Sequence, residues 1–251
     1  VLFPEKINGK YVAMLTVNTD KPPAVIGIAY FDKLEDIWSE EYWTEWYKNL
    51  DSHKIELLRD PSHHVEVGAP PIKTADGWLM IYAYIRNYFG VDREFSIESC
   101  LLDLNDPQKV IARTSEPLLI PTEEYEMYGT VPYTIFPTGA VINKDQLFVY
   151  YGGCDTTGCL AYCNYQDLID EMKNPEGLKI NFQVSLDRFE NNPIISPIES
   201  HSWENKYTYN PAAIYLNNKI HILYRAQGND DTSVFGYAST TDGLHLDERF
   251  D

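Results

Sequence analysis

The chain has 251 residues, 44% of them hydrophobic, enough for a sizeable core in one large domain or two small ones. Twenty basic side chains face 38 acidic ones, and a formal net charge of −18 argues against nucleic acid or an anionic membrane surface as partner. No apolar run approaches the roughly 20 residues of a bilayer span, and no signal-peptide pattern opens the chain.

Val1 stands inside an apolar run and Asp251 closes no recognisable pattern, so the sequence reads as a piece of a longer protein whose export it cannot report. The first predicted unit is Phe3-Pro4-Glu5-Lys6-Ile7-Asn8-Gly9 followed by an apolar strand from Lys10 to Leu15: a proline entry, a short strand, an Asn-Gly turn, a second strand. The same grammar returns at Pro70-Pro71-Ile72 with Asp76-Gly77 and Trp78-Leu79-Met80-Ile81-Tyr82. It returns again at Phe136-Pro137-Thr138-Gly139 with Leu147–Tyr151, and at Asn210-Pro211-Ala212-Ala213 with Ile220–Tyr224. Pro4, Pro71, Pro137 and Pro211 stand 67, 66 and 74 residues apart, a period that suits a four-stranded blade with long outer loops. The expected fold is therefore all-β, a β-propeller with about four blades in this chain. Each apolar strand is followed by another strand and then by acidic and aromatic loop residues. The best helix is Tyr165–Lys173, with Leu168, Ile169 and Met172 on one side and Pro175 just beyond.

Cys100, Cys154, Cys159 and Cys163 are too few and too clustered for a secreted disulfide scaffold and fit reduced thiols in a cytoplasmic protein. Zinc pairs at C-x2-C spacing are absent, so no metal is expected, and no cofactor is implied. The aromatic share of 14% serves either sugar stacking or ordinary sheet packing. A propeller gathers the starts of its inner strands around one channel, which makes polar groups near the repeated prolines the site candidates: Glu5 and Lys6, His64 and Glu66, Asp155, and Asn210 with Arg225. Taken singly, each reads equally well as a solvated loop charge or a strand-end hydrogen bond. Recurrence at equivalent blade positions is what singles them out.

These motifs together resemble glycoside hydrolase family 130, the β-mannoside phosphorylases and β-mannosidases built on a five-bladed propeller. The stretches that carry the resemblance are Leu2–Lys10, Gly68-Ala69-Pro70-Pro71-Ile72 with Gly77-Trp78-Leu79, Leu101-Leu102-Asp103-Leu104, Tyr125-Glu126 with Gly129 and Phe136-Pro137, Tyr150-Tyr151-Gly152 with Asp155, and Asn210-Pro211-Ala212-Ala213 with Leu223-Tyr224-Arg225-Ala226. In the family the Asn-Pro-Ala-Ala blade opens the propeller and the Tyr-Tyr-Gly blade closes it, whereas here that order is reversed. The resemblance thus implies a fragment across a tandem junction: residues 1–173 as the last three blades of one propeller, 174–187 as junction, and 188–251 as the first blade of a second. A circular permutation is the alternative. Either way the Glu-Asp-Pro-Arg motif, whose Asp is similar to the family's general acid, is absent, so the acid is not in this chain and the chain alone is expected to be inactive.

The resemblance implies sugar contacts for Asp155, Asn210 and Arg225, with Asp155 serving one propeller and the other two the next. It also places Thr16-Val17, His64 and Tyr82-Ala83-Tyr84 where the family's phosphorylases carry phosphate ligands, and these offer few cationic donors. Inverting cleavage of a β-mannoside or manno-oligosaccharide by water is therefore expected ahead of phosphorolysis by inorganic phosphate, with Glu66 and Glu98 as candidate bases. Both glutamates read equally as rim charges. A glycan-binding propeller without catalysis and a phosphorylase with an atypical phosphate site are the alternatives.

Overall fold

The computed structural model describes residues 1–21, 23–174 and 183–250. Four antiparallel sheets follow one another along the chain, one for each repeat. In the first blade, β1 (Tyr11–Val17) pairs with β2 (Val25–Phe31), and single bridges add Leu2 on the inner side and Lys54 on the outer side. The second blade sets β3 (His64–Val67) and β4 (Ile72–Lys73) along β5 (Trp78–Arg86), followed by β6 (Glu94–Leu102) and β7 (Val110–Arg113). The third orders β8 (Ile135–Asn143), β9 (Gln146–Gly153), β10 (Thr157–Asn164) and β11 (Asp187–Arg188). The fourth orders β12 (Tyr207–Leu216), β13 (Lys219–Gln227), β14 (Ser233–Thr240) and β15 (Glu248–Arg249).

The prolines mark equivalent points of the inner strands because proline has no N–H to give a ladder. The register slips at Pro137 between β8 and β9 and at Pro211 between β12 and β13, and Pro70-Pro71 separate β3 from β4. Glycines beside them let neighbouring inner strands close on the axis. A Cβ at Gly68 would stand 3.0 Å from the Pro137 carbonyl, and one at Gly139 would stand 2.6 Å from that of Pro211.

Apolar clusters between successive blades form the core. Val12, Met14, Ile26 and Ile28 meet Trp78, Met80 and Tyr82, and Tyr150 and Leu160 meet Ile222 and Tyr224. Strand β5 is enclosed on both faces, hence its unbroken apolar run, whereas β13 alternates because the outward side of the fourth blade exposes Ile214, Leu223 and Phe235.

The helix expected at Tyr165–Lys173 forms with those bounds (called α3 below), capped by Asn164. A helix that patterning did not show, α1 (Glu40–Lys48), occupies the region read as an acidic and aromatic loop. Ser39 caps it by accepting the Tyr42 N–H. Trp46 lies over Gly27, where a Cβ would come within 2.6 Å of the ring, and its indole N–H donates to the Ile28 carbonyl at 2.8 Å. Tyr42, Trp43 and Trp46 thereby cover the side of the first blade that faces away from the second. A short turn, α2 (Glu124–Met127), precedes the third blade.

Each later blade is fastened by the arginine that ends its outermost strand. Arg113, Arg188 and Arg249 donate to the carbonyls of Leu57, Ile120 and Ser196 at 2.9, 2.6 and 2.7 Å, tying the last strand to the chain ahead of the first. In the third and fourth blades the arginine also pairs with a fully buried glutamate: Arg188 with Glu126 at 2.8 Å and Arg249 with Glu204 at 2.7 Å. Tyr151 and Tyr224 of the second strands donate to the same carboxylates at 2.8 and 2.7 Å. Residues 175–182 of the expected junction lie outside the described residues, but Asp187–Arg188 belong to the third blade, so the fourth blade begins after Arg188.

Candidate active site

One end of the molecule gathers the starts of the inner strands and the β5–β6, β9–β10 and β13–β14 turns. Asp155 sits in the β9–β10 turn, where Cys154 and Asp155 take φ of 50° and 52° and the Thr156 N–H donates to the Gly153 carbonyl at 2.9 Å. This is a type I′ geometry without the usual glycine, a conformational cost of the kind that collects at functional sites. Asn210 is also left-handed, with φ of 54°, at the β12 bulge. It packs on Gly152, the Thr208 N–H donates to the Thr156 carbonyl at 3.0 Å, and blades three and four are thus joined beside Asp155.

Arg225 of β13 faces Tyr209 across the ladder, its guanidinium 5.0 Å from the ring centre, and donates to Ser233 Oγ at 3.0 Å. Burial raises the pKa of Asp155 and the charge of Arg225 pulls it back down. Asp155, Asn210 and Arg225 are thus brought near one another between adjacent blades. Tyr209 belongs with them and was not singled out from sequence, although it directly precedes the Asn-Pro-Ala-Ala motif. The arrangement offers a carboxylate, an amide, a guanidinium and an aromatic face, which suits a neutral ligand rich in hydroxyls.

The other candidates lie elsewhere. Glu66 is on β3 opposite Ala83, next to Val67, whose N–H donates to Thr16 Oγ1 at 2.9 Å. Val65 and Val67 turn towards the first blade and Thr16, so Glu66 and Ala83 lie on the opposite face of the second sheet, and burial raises the pKa of Glu66. Glu98 is no open base. It lies fully buried on the third strand of its sheet, accepts Arg59 at 2.6 Å and Tyr82 at 3.0 Å, and serves as the second blade's fastening. His64 is likewise fully buried. Its ring stacks on Tyr88 at 4.4 Å, neither nitrogen has a hydrogen-bond partner among the described residues, and burial followed by His63 lowers its pKa. Burial thus weighs against the charged form of this ring.

Glu5 and Lys6 lie at the opposite end. Glu5 pairs with Lys73, which aligns with Trp78 at the start of β5, and Lys6 sits 4.1 Å from the Tyr11 ring centre. That end holds a mainly apolar cavity of about 820 Å³, lined by Pro4, Pro71, Val141 and Ile214 among others. Cys100, Cys154, Cys159 and Cys163 are buried free thiols, and among the described residues no His, Cys, Asp and Glu group is placed to hold a metal ion. No helix is long and apolar enough to cross a membrane, as judged on the described residues.

Four antiparallel blades in succession define a β-propeller fold. Residues 1–174 match the model of glycoside hydrolase family 130, described as beta-1,4-mannooligosaccharide phosphorylase, and the chain belongs to that family. It is 39% identical over 171 residues to a 1,2-beta-oligomannan phosphorylase of Thermoanaerobacter sp. (strain X514), covering 66% of this chain and 50% of that one. It is 34% identical over 178 residues to a beta-1,4-mannooligosaccharide phosphorylase of Ruminococcus albus, covering 69% and 50%. The structure of a beta-1,2-mannobiose phosphorylase from Listeria innocua superimposes with a TM-score of 0.56 at 29% identity, over 69% of this chain and 46% of that one. A thermostable family-43 glycoside hydrolase gives 0.59 over 96% of this chain and 72% of its own at 12% identity, a likeness of fold. The chain spans about half the length of the curated relatives it matches, and the family match ends ahead of the fourth blade.

Proposed function

We propose that this chain forms the sugar-holding wall of an enzyme that cleaves β-mannosides with inversion. The observation that carries the reading is Asp155 within electrostatic reach of Arg225, flanked by Asn210 and Tyr209. The carboxylate accepts sugar hydroxyls while the amide and guanidinium fix their orientation. The names of the relatives, all phosphorylases, support phosphate as nucleophile. Water is the second reading, favoured by the half-buried Glu66 with its raised pKa, whose cross-strand partner Ala83 brings no charge. The general acid and the tandem arrangement belong to this proposal too, since no Glu-Asp-Pro-Arg stretch occurs in the sequence.

Calorimetric titration of the chain with β-mannobiose tests the site. Asp155→Ala should weaken binding about 10- to 100-fold, the worth of hydrogen bonds to a charged group. Binding that is unchanged in this variant would refute the assignment. In the intact protein, a rate that saturates with phosphate and releases mannose 1-phosphate identifies phosphorolysis. Phosphate-independent release of mannose, slowed about 10²–10⁴-fold by Glu66→Gln, identifies water with Glu66 as base. Saccharide binding with neither product identifies a glycan-binding module.

A further inference from the structure

The β9–β10 turn that presents Asp155 has to be held in shape from outside, because neither of its left-handed residues, Cys154 and Asp155, is a glycine. Among the described residues nothing hydrogen-bonds the Asp155 carboxylate, so the backbone of the turn sets its direction. Thr156, the next residue, is half-buried and engages every polar atom it has. Its hydroxyl donates to the Cys154 carbonyl at 3.0 Å and accepts the Thr130 N–H at 3.2 Å. Its own N–H donates to the Gly153 carbonyl at 2.9 Å, and its carbonyl accepts the Thr208 N–H at 3.0 Å. One residue thus ties the turn to itself, to the segment ahead of β8 and to the fourth blade.

That segment closes tightly on the turn. The Val131 N–H donates to the Cys154 carbonyl at 3.0 Å, the Cys154 N–H to the Thr134 carbonyl at 2.9 Å, and the Thr134 N–H to the Glu126 carbonyl at 3.2 Å. At Gly129 a Cβ would stand 2.5 Å from Cys154 Cβ and 2.7 Å from Thr156 Oγ1. These backbone bonds fix Cys154 whatever its side chain. The Thr156 hydroxyl reaches back from residue 156 to the carbonyl of 154, so its bond spans Asp155 and restrains the peptide unit on either side of it. A methyl group in place of the oxygen would fill the same space and make neither bond.

We propose that Thr156 is a positioning residue for the saccharide site: its hydroxyl spans Asp155 and keeps the carboxylate facing Arg225 between the third and fourth blades. This rests on the reading of Asp155 as a sugar contact and goes beyond it by assigning the group that aims that contact.

Calorimetric titration with β-mannobiose at 25 °C compares Thr156→Val, which keeps the shape and loses the hydroxyl, with Thr156→Ser, which keeps the hydroxyl. Thr156→Val should weaken binding about 3- to 10-fold, the net worth of a hydrogen bond, and Thr156→Ser should stay within about twofold of the unsubstituted chain. An equal loss in both variants would assign the effect to methyl packing and overturn the proposal. Unchanged affinity in Thr156→Val alongside a loss in Asp155→Ala overturns it too, and leaves the Asp155 site standing. Absence of saccharide binding, or affinity indifferent to Asp155→Ala, overturns both.

Two readouts need no sugar. In the unsubstituted chain the Thr130 amide should exchange hydrogen about 10-fold or more slowly than an unbonded amide, although Thr130 is exposed. Free exchange there overturns the proposal even if Thr156→Val does not fold. In folded Thr156→Val the Cys154 thiol should react about 10-fold or more faster than in the unsubstituted chain, as mapped by mass spectrometry. An unchanged rate would mean that the turn keeps its shape without the hydroxyl, which overturns the proposal.

Discussion

Asp155 shows at the residue scale how a buried carboxyl can tax the fold that presents it. Burial raises its pKa, so the folded chain holds the carboxyl proton more tightly than the unfolded chain does. That penalty on the charged form is absent below the unfolded value of about 4 and grows as pH rises through the raised folded value. Asp155→Asn is therefore expected to raise the thermal midpoint at pH 7, by an amount that shrinks towards zero near pH 4. Unfolding curves measured across that range check it, and an equal shift at every pH would contradict the assigned cause. Asp155, Asn210 and Arg225 could be picked out as candidates in sequence because each stands at or beside the end of a strand motif that recurs along the chain. Tyr209 could not, since an isolated tyrosine in a chain with 19 of them carries no pattern. The misreading of Glu98 has the same root. Its partners Arg59 and Tyr82 are 39 and 16 residues away, and only the folded blade brings them together.

Elements divide into those that local pattern determines and those that long-range contacts hold. The blades were readable because each repeats a turn signal between apolar strands, and α3 because its apolar residues follow helical spacing above an Asn cap. Helix α1 was hidden because it buries only Trp46 and otherwise presents acidic and aromatic side chains that also suit a loop. Its place is set by Gly27, which lets the Trp46 ring settle onto β2. The fastening residues lie outside any local pattern, yet they carry a testable share of stability. Glu126→Ala leaves Arg188 and Tyr151 without their shared acceptor and should cost about 3–5 kcal/mol, the usual effect of orphaning one member of a buried pair. Chemical denaturation with the denaturant slope held constant measures it, and a loss under about 1 kcal/mol would show that the pair adds nothing over its surroundings.

For the whole molecule, the four cysteines report on integrity. All are buried free thiols, and burial raises their pKa, that of Cys163 to about 12. The native chain should leave a thiol reagent at pH 8 unconsumed over minutes and then take up four equivalents on unfolding. Rapid uptake by the native chain would mean that the blades do not pack as described. The fastening of the blades also has a meaning in time. A ribosome delivers Glu126 62 residues before Arg188, about 3–12 s at ordinary elongation rates, against 45 residues for Glu204 and Arg249 and 39 for Arg59 and Glu98. During that interval the Glu126 carboxylate is a charge awaiting its partner, and the strands between the two residues have nowhere dry to leave it. The third blade, which carries Asp155, is thus the slowest to lock as the chain is made, and the β9–β10 turn acquires its final shape only after the synthesis of a residue far beyond it.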